Sequence, residues 1–335
     1  MRLRLHPDLV IAWRGPDVVQ IGLDEDGLLL APVDAGFRPL LQALRDGRLT
    51  ARGLHRLARR AGITPGAVHD LLTELRRVGA LLDPAPHLPA GHDLAALDAA
   101  ARAAALDYPG SGGWPVLDRR RAATVLLAGV TAVTSDLARA LLAAGVGRVL
   151  ILDDRKVQRE DLGHNGFDLH HVGHSRSRSV IEAVPGVAVG WPAADTDLVI
   201  IAADGHLPAE DADDYLRLDR AHLAVLLRER DAVVGPLVLP GRTCCLRCLE
   251  VYRVEKDPHW GMVAAQACQH RFRGRDRLLL ARVTSVAVAE ALMALDALTL
   301  PLTAGRTVEV STRSPVPVVR AWPTHPRCGC TGLDP

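Results

Sequence analysis

The sequence predicts an α/β chain of two folded units, and three observations predict it. Short β-like runs give way to three helical periodicities before residue 85. From Thr124 onward the pattern becomes buried strand, helix, buried strand. Two close cysteine pairs, Cys245/Cys248 and Cys328/Cys330, lie in the second part. A length of 335 residues accommodates two domains, each with its own core.

In chain order, Leu9–Trp13, Val18–Leu23 and Leu28–Ala31 read as strands, separated by Gly15-Pro16 and by the acidic turn Asp24-Glu25-Asp26-Gly27. Asp34 is a candidate cap for a first helix with Phe37, Leu40, Leu41 and Leu44 on one face and Gly47 at its end. Thr50 caps a second, with Leu54, Leu57 and Ala58 inward and Gly62 as its stop. Thr64-Pro65 opens a third, with Val68, Leu71, Leu72 and Leu75 inward. Three strands and three helices, the last two joined by a tight glycine turn, describe a winged-helix-like domain over residues 1–85. Residues 86–118 read as a linker. Prolines at 84, 86 and 89 stiffen its start, an Ala-rich helix covers Asp93–Leu106, and Gly110–Pro115 is loop. Residues 119–335 form the second domain. Thr124–Ala128, the helix Ser135–Ala144 and Arg148–Leu152 make a βαβ unit, which calls for a parallel sheet of Rossmann-like type. Asp197–Ala203, Leu223–Leu227 and Val233–Leu239 extend that sheet, and an amphipathic helix near Arg277–Leu298 packs on it.

Composition narrows the function classes. Forty Lys plus Arg against 39 Asp plus Glu leave no electrostatic footprint for general nucleic-acid or membrane binding. Aromatic residues at 3% argue against a base-stacking surface. Every long apolar run is broken by a charge, as Ala122–Ser135 is by Asp136, so no transmembrane helix is expected and the expected location is cytoplasmic. In that compartment, clustered cysteines read as metal ligands before disulfides. Cys245, Cys248, Cys328 and Cys330 suit one tetrahedral, structural Zn²⁺ tying the C-terminal tail to the domain body, against the alternatives of unligated thiols or a redox pair. Cys244 adjoins this knuckle and competes as a ligand, whereas Cys268 reads as a core or interface thiol. His164, His170, His171 and His174 fall in a glycine-containing stretch that reads as a solvated crossover loop, not as a second metal site.

The segments LLAGVTAVTSDLARALLAAGVGRVLILDD, TDLVIIAADG and TCCLRC, in that order and followed by a C-terminal cysteine pair, resemble the ThiF/MoeB (E1-like) adenylating superfamily. The resemblance covers about residues 110–335 and implies an ATP-binding fold that adenylates a carboxylate at the end of a partner peptide, as a homodimer. The N-terminal unit resembles the PqqD-like element that recognises leader peptides. Together with GPLVLPGRTCCLRCLEVYRVEKDPHW and HPRCGC, the whole chain resembles the E1-like leader-peptide-binding partners of YcaO cyclodehydratases, of the azoline-peptide (TOMM) type.

The resemblance also locates the remnants of a nucleotide site. Where the family has G-x-G-G-x-G, this chain reads Ala128-Gly129-Val130-Thr131-Ala132-Val133, with one glycine left. Val130, Ala132 and Val133 are expected to put side chains where phosphate oxygens would lie. Asp154 matches the ribose-binding acid, Arg176 the family's lysine, and Asp204 the magnesium-associated aspartate. The family's Asn-Leu-Asn-Arg-Gln-like stretch is replaced by Asp161-Leu162-Gly163-His164-Asn165. The expectation is a scaffold without adenylating activity. A leader peptide is expected to add a strand to the N-terminal sheet, with Leu28, Leu30, Val68, Leu72, Leu75 and Arg76 as candidate groove residues. The alternatives are an active adenylating enzyme using ATP and Mg²⁺, and a winged-helix DNA-binding regulator. Twelve Arg against ten acids over residues 1–90, with Asp70 and Glu74 in the third helix, disfavour the latter.

Overall fold

The computed structural model describes residues 3–23, 27–47, 49–82, 94–108, 113–190, 196–270 and 275–330. The acidic turn at 24–26 and the expected linker prolines lie outside them. The chain divides into two compact units, Met1–Arg119 and Arg120–Pro335.

The first unit contains the three expected strands, β2 (Ile11–Trp13), β3 (Val19–Ile21) and β4 (Leu28–Leu30), as an antiparallel sheet in the order β2-β3-β4. The helices α1 (Phe37–Asp46), α2 (Ala51–Arg60) and α3 (Pro65–Arg77) cover it. Their ends follow local chemistry. Gly47 closes α1 in the left-handed region at φ 64°. Thr50 accepts from the Gly53 N–H at the start of α2, and Thr64 does the same for Ala67 at the start of α3. Asp34 is not the cap of α1; that position is Gly36, and Asp34 instead accepts the Gly36 N–H two residues on, closing a turn before the helix. A two-stranded ribbon, β1 (Arg4–Leu5) with β5 (Leu81–Leu82), joins the unit's ends and was invisible to pattern reading because each strand is two residues long. The Ala-rich helix α4 (Leu94–Asp107) packs Ala100 and Ala101 against Trp114 and Leu117 of α5 (Trp114–Ala122). The loop expected through Pro115 is therefore helical from Trp114.

The second unit is built on one sheet of eight strands. They are β6 (Thr124–Ala128), β7 (Arg148–Leu152), β8 (Val187–Val189), β9 (Leu198–Asp204), β10 (His222–Leu227), β11 (Asp231–Val238), β12 (Arg306–Ser311) and β13 (Ser314–Ala321). Their order is β13-β12-β11-β10-β9-β6-β7-β8. Pairing is parallel from β8 to β10 and antiparallel from β10 to β13. The central strands β6 and β10 are buried at every residue, as strands covered on both faces must be. The helices are α6 (Thr134–Ala143), α7 (Arg176–Ala183), α8 (Asp213–Arg217), α9 (Leu246–Lys256), α10 (Trp260–Gln269) and α11 (Arg277–Asp296). By length and hydropathy alone α11 could cross a membrane, but Leu279, Leu280, Val283, Ala287 and Ala291 lie in the main core cluster, so it is a core helix. Order reverses between β6 and β9, the place where sheets of this kind open a crevice at the carboxyl ends of their strands.

Candidate functional site: a cleft at the sheet switch point and a four-cysteine cluster

A cleft of about 580 Å³ opens at that reversal, lined by Ala128, Gly129, Asp153, Asp154, Arg155, Asp204, Asp211 and Cys268 among others. It brings together three of the four expected nucleotide residues, Gly129, Asp154 and Asp204. Arg176 stands behind the loop after β6 instead. Its guanidinium is buried, donates twice to the Asp161 carboxylate at 2.7 and 2.8 Å, and donates to the Val130 carbonyl at 3.2 Å. The charge that would meet phosphate is thus already neutralised.

The loop itself is closed by its own hydrogen bonds. The Gly129 N–H goes to the Leu152 carbonyl at 2.9 Å, and the Val130 N–H to Asp153 Oδ2 at 2.7 Å. The Thr131 N–H goes to Thr134 Oγ1, and the Ser135 N–H at the start of α6 to Asn165 Oδ1, both at 2.9 Å. Asn165, at φ 55°, also donates from Nδ2 to the Thr131 carbonyl at 2.7 Å and accepts Ser135 Oγ through its own carbonyl. At these four positions a phosphate would have to compete with a protein acceptor for the N–H. Gly129 is required for another reason: at φ 86°, a Cβ there would lie 2.3 Å from the Ala202 carbonyl oxygen on β9. The expectation that Val130 and Val133 fill the phosphate position is corrected. Both are fully buried in the main core cluster, because the closed loop turns their side chains inward.

The cleft is acidic. Asp153 is clamped by Arg155 through contacts of 2.6 to 3.2 Å, while Asp154 is exposed. Asp204 takes an ion pair from Arg275. Burial, with neighbouring Glu210, pushes the Asp211 carboxyl up from its ordinary value, and burial likewise raises the Cys268 thiol. Arg155 is the one cation lining the cleft among the described residues, and it is held by Asp153.

The second constellation lies around the start of α9. Cys245 precedes that helix and Cys248 sits in its first turn, while Cys328 and Cys330 return from the tail after β13. Their ligand atoms all lie within 4.8 Å of one another, with Sγ–Sγ separations of 3.8 Å (Cys245–Cys248), 3.5 Å (Cys245–Cys328) and 3.4 Å (Cys248–Cys330). Tetrahedral Zn–S bonds of about 2.3 Å imply S–S edges of about 3.8 Å, so the donor set fits that ion. Hydrogen bonding from Cys245, aided by the His325 N–H at 3.3 Å, pulls the Cys248 thiol down to about 4. Burial pushes Cys330 up to about 11, and the hydrogen bond to Cys248 also raises Cys245. A divalent cation held by these thiols would displace their protons. Cys244 is buried in the same cluster, its thiol raised to about 12 by burial, but it lies outside the ligand group.

The candidate groove residues of the first unit divide by exposure. Leu28, Val68, Leu72 and Leu75 belong to its core cluster, Leu30 is half-buried, and Arg76 is exposed. Leu29, which pattern reading passed over, is 51% exposed on β4, a strand that pairs only with β3 among the described residues. In the histidine stretch, His171 is buried, with Asp168 and His170 exposed beside it.

No family model and no curated protein matches the chain. Solved structures do. MccB from E. coli with succinimide superposes at a TM-score of 0.69 and 15% identity over 100% of both chains. The microcin C7 biosynthetic enzyme MccB in complex with N-formylated MccA matches at 0.68 and 15%, over 99% of this chain and 100% of that one. A heterocyclase in complex with substrate and cofactor matches at 0.67 and 15%, over 98% of this chain and 39% of that one. The superposition shows that this chain, with its large mixed sheet and flanking helices, has the fold of MccB.

Proposed function

We propose that the chain captures the leader region of a ribosomally made precursor peptide and presents it to a separate YcaO-type cyclodehydratase, without adenylating a substrate itself. The observation that carries the reading is the closed loop after β6, whose N–H donors at Gly129, Val130, Thr131 and Ser135 are all held by protein acceptors. With Arg176 neutralised by Asp161 and the cleft lined by four aspartates, a triphosphate would meet repulsion where an active site supplies donors and cations. The exposed edge of β4, with Leu29 and Leu30 beside it and Arg76 at the end of α3, supports peptide capture by strand addition in a winged-helix, PqqD-like domain over residues 1–85. That MccB is seen with N-formylated MccA, and a heterocyclase with its substrate, favours peptide chemistry on this fold. The four cysteines hold a structural zinc, residues 86–118 act as linker, and the working form is a cytoplasmic homodimer.

The test is calorimetry of the zinc-loaded protein with ATP and Mg²⁺ and a pyrophosphate-release assay, then titration with the short peptide encoded nearest its gene. Leader binding without ATP binding or pyrophosphate release is the expected result. The second reading, an active adenylating enzyme, is favoured by the cleft itself, which keeps Asp154 and Asp204 in place, and by the structure of MccB with ATP. Pyrophosphate release dependent on peptide would establish it and sink the scaffold reading. A DNA-binding regulator, the third, would instead bind duplex DNA with a steep salt dependence.

A further inference from the structure

The near-zero net charge of the chain conceals one strongly biased surface. On α2 the helical repeat gathers His55, Arg59, Arg52, Arg56 and Arg60 within an arc of about 140°. The opposite side buries Leu54 and Ala58, and Gly53 is buried at the edge of the arc. All four arginines are exposed and His55 is half-buried, and the helix carries no acidic residue. Among the described residues, Arg77 pairs with Glu74 and Arg102 with Asp8, both away from this face. Like charges four apart on a helix repel, so a row of carboxylates laid along this face would relieve the helix as well as pair with it.

Beside the row, where α2 turns into α3, lies a cavity of about 250 Å³ lined by His55, Ala58, Arg59, Ile63 and Pro65. Ala58 and Ile63 are buried and give it an apolar floor. The spacing along the row is about 6 Å from Arg52 to Arg56 and about 12 Å from Arg52 to Arg60. Alternate side chains of an extended polypeptide are about 6.6–6.8 Å apart. We propose that this face docks an acidic, extended segment of a partner polypeptide. Asp or Glu at alternate positions would pair with Arg52, Arg56 and the Arg59/Arg60 pair, and one apolar side chain would seat in the cavity. Guanidinium groups suit this partner because they bind carboxylates in bidentate fashion. A nucleic-acid backbone fits less well: it brings nothing apolar for the cavity, and α3 beside it exposes Asp70. The proposal concerns different residues from the β4 edge and stands independently of leader capture there.

The experiment uses the full zinc-loaded chain and fluorescence anisotropy with a labelled synthetic peptide alternating Glu and Ser around a single Leu. Controls are a sibling with Gln for every Glu, a sibling with Ser for Leu, and a short DNA duplex. The Glu peptide should bind at least tenfold tighter than the Gln sibling and several-fold tighter than the Leu-less one. The triple variant Arg52→Gln/Arg56→Gln/Arg59→Gln should lose at least tenfold in affinity with its thermal transition unchanged. Should that variant unfold, Arg56→Gln alone should lose at least threefold. The proposal is overturned if the Glu peptide does not bind, if the Gln sibling binds equally, if the folded variants retain full affinity, or if the duplex binds tighter than the peptide.

Discussion

At the scale of single residues, the two constellations differ in what holds them. The cysteine cluster depends on four side chains, and Cys328 supplies the tail's contact with Cys245 at 3.5 Å. Cys328→Ser is expected to lower bound zinc well below one ion per chain, measured by atomic emission after dialysis. Losing even about 3 kcal/mol of linked folding energy would lower the thermal midpoint of a domain this size by about 6–12 °C. A normal zinc content in that variant would remove the tail from the ligand set. His222 makes a different prediction. It is buried at the start of β10, donates from Nδ1 to the Arg220 carbonyl at 2.9 Å, and leaves Nε2 without a hydrogen-bond partner among the described residues. Burial lowers its folded pKa below the ordinary histidine value, although the Arg220 carbonyl works the other way. The unfolded chain therefore takes up a proton first as pH falls, and stability is lost from about pH 6.5 downward until the folded pKa is reached. His222→Gln should lessen the loss of urea-melt stability between pH 7 and 5; an unchanged slope would place the acid sensitivity elsewhere. The cysteine cluster was legible from spacing because C-x-x-C and C-x-C are local statements. Asn165 was not, because its role requires a left-handed backbone that brings its amide 30 residues back along the chain to Ser135.

Among elements, α11 illustrates how a helix of high hydropathy is fixed in place by buried polar contacts. Arg120 on α5 donates to both oxygens of Asp296 at the end of α11, at 2.7 and 2.6 Å, with both side chains almost wholly excluded from solvent. Further along, Glu290 accepts both the N–H and the hydroxyl of Thr303. Arg120→Met would strand the Asp296 carboxylate in the interior, at an expected cost of about 3–5 kcal/mol in urea unfolding. The double variant Arg120→Met/Asp296→Leu should recover most of it, because the desolvation cost disappears with the charges. A double variant as unstable as the single would mean that packing, not charge, sets the loss. Elements differ likewise in legibility. The buried strands β6, β7, β9 and β10 announce themselves as continuous apolar runs. The strand β13 does not, since Pro315 and Pro317 argue against a strand. It is exposed along its whole length at the edge of the sheet, where a missing N–H costs no ladder bond.

For the whole molecule, the balance of charges conceals two surfaces of different chemistry that ionic strength can tell apart. The formal net charge is +1, so no long-range field favours any one class of ligand. The β4 edge offers backbone groups with Leu29 and Leu30, whereas α2 concentrates four arginines on one face. A leader peptide paired to β4 by main-chain bonds and apolar contacts should lose less than about threefold in affinity between 50 and 300 mM salt, since little of its binding is screened. The acidic probe on α2 should lose at least about tenfold over the same range, because its contacts lie at the surface. The two slopes therefore assign a ligand to its site without a crystal. A natural precursor peptide that binds with a steep slope, and loses it in the triple arginine variant, uses the α2 face. One that binds with a shallow slope and ignores that variant uses the sheet edge. A steep slope that survives the triple variant would assign binding to neither surface, and both the strand-addition reading and the role of α2 would fail for that peptide.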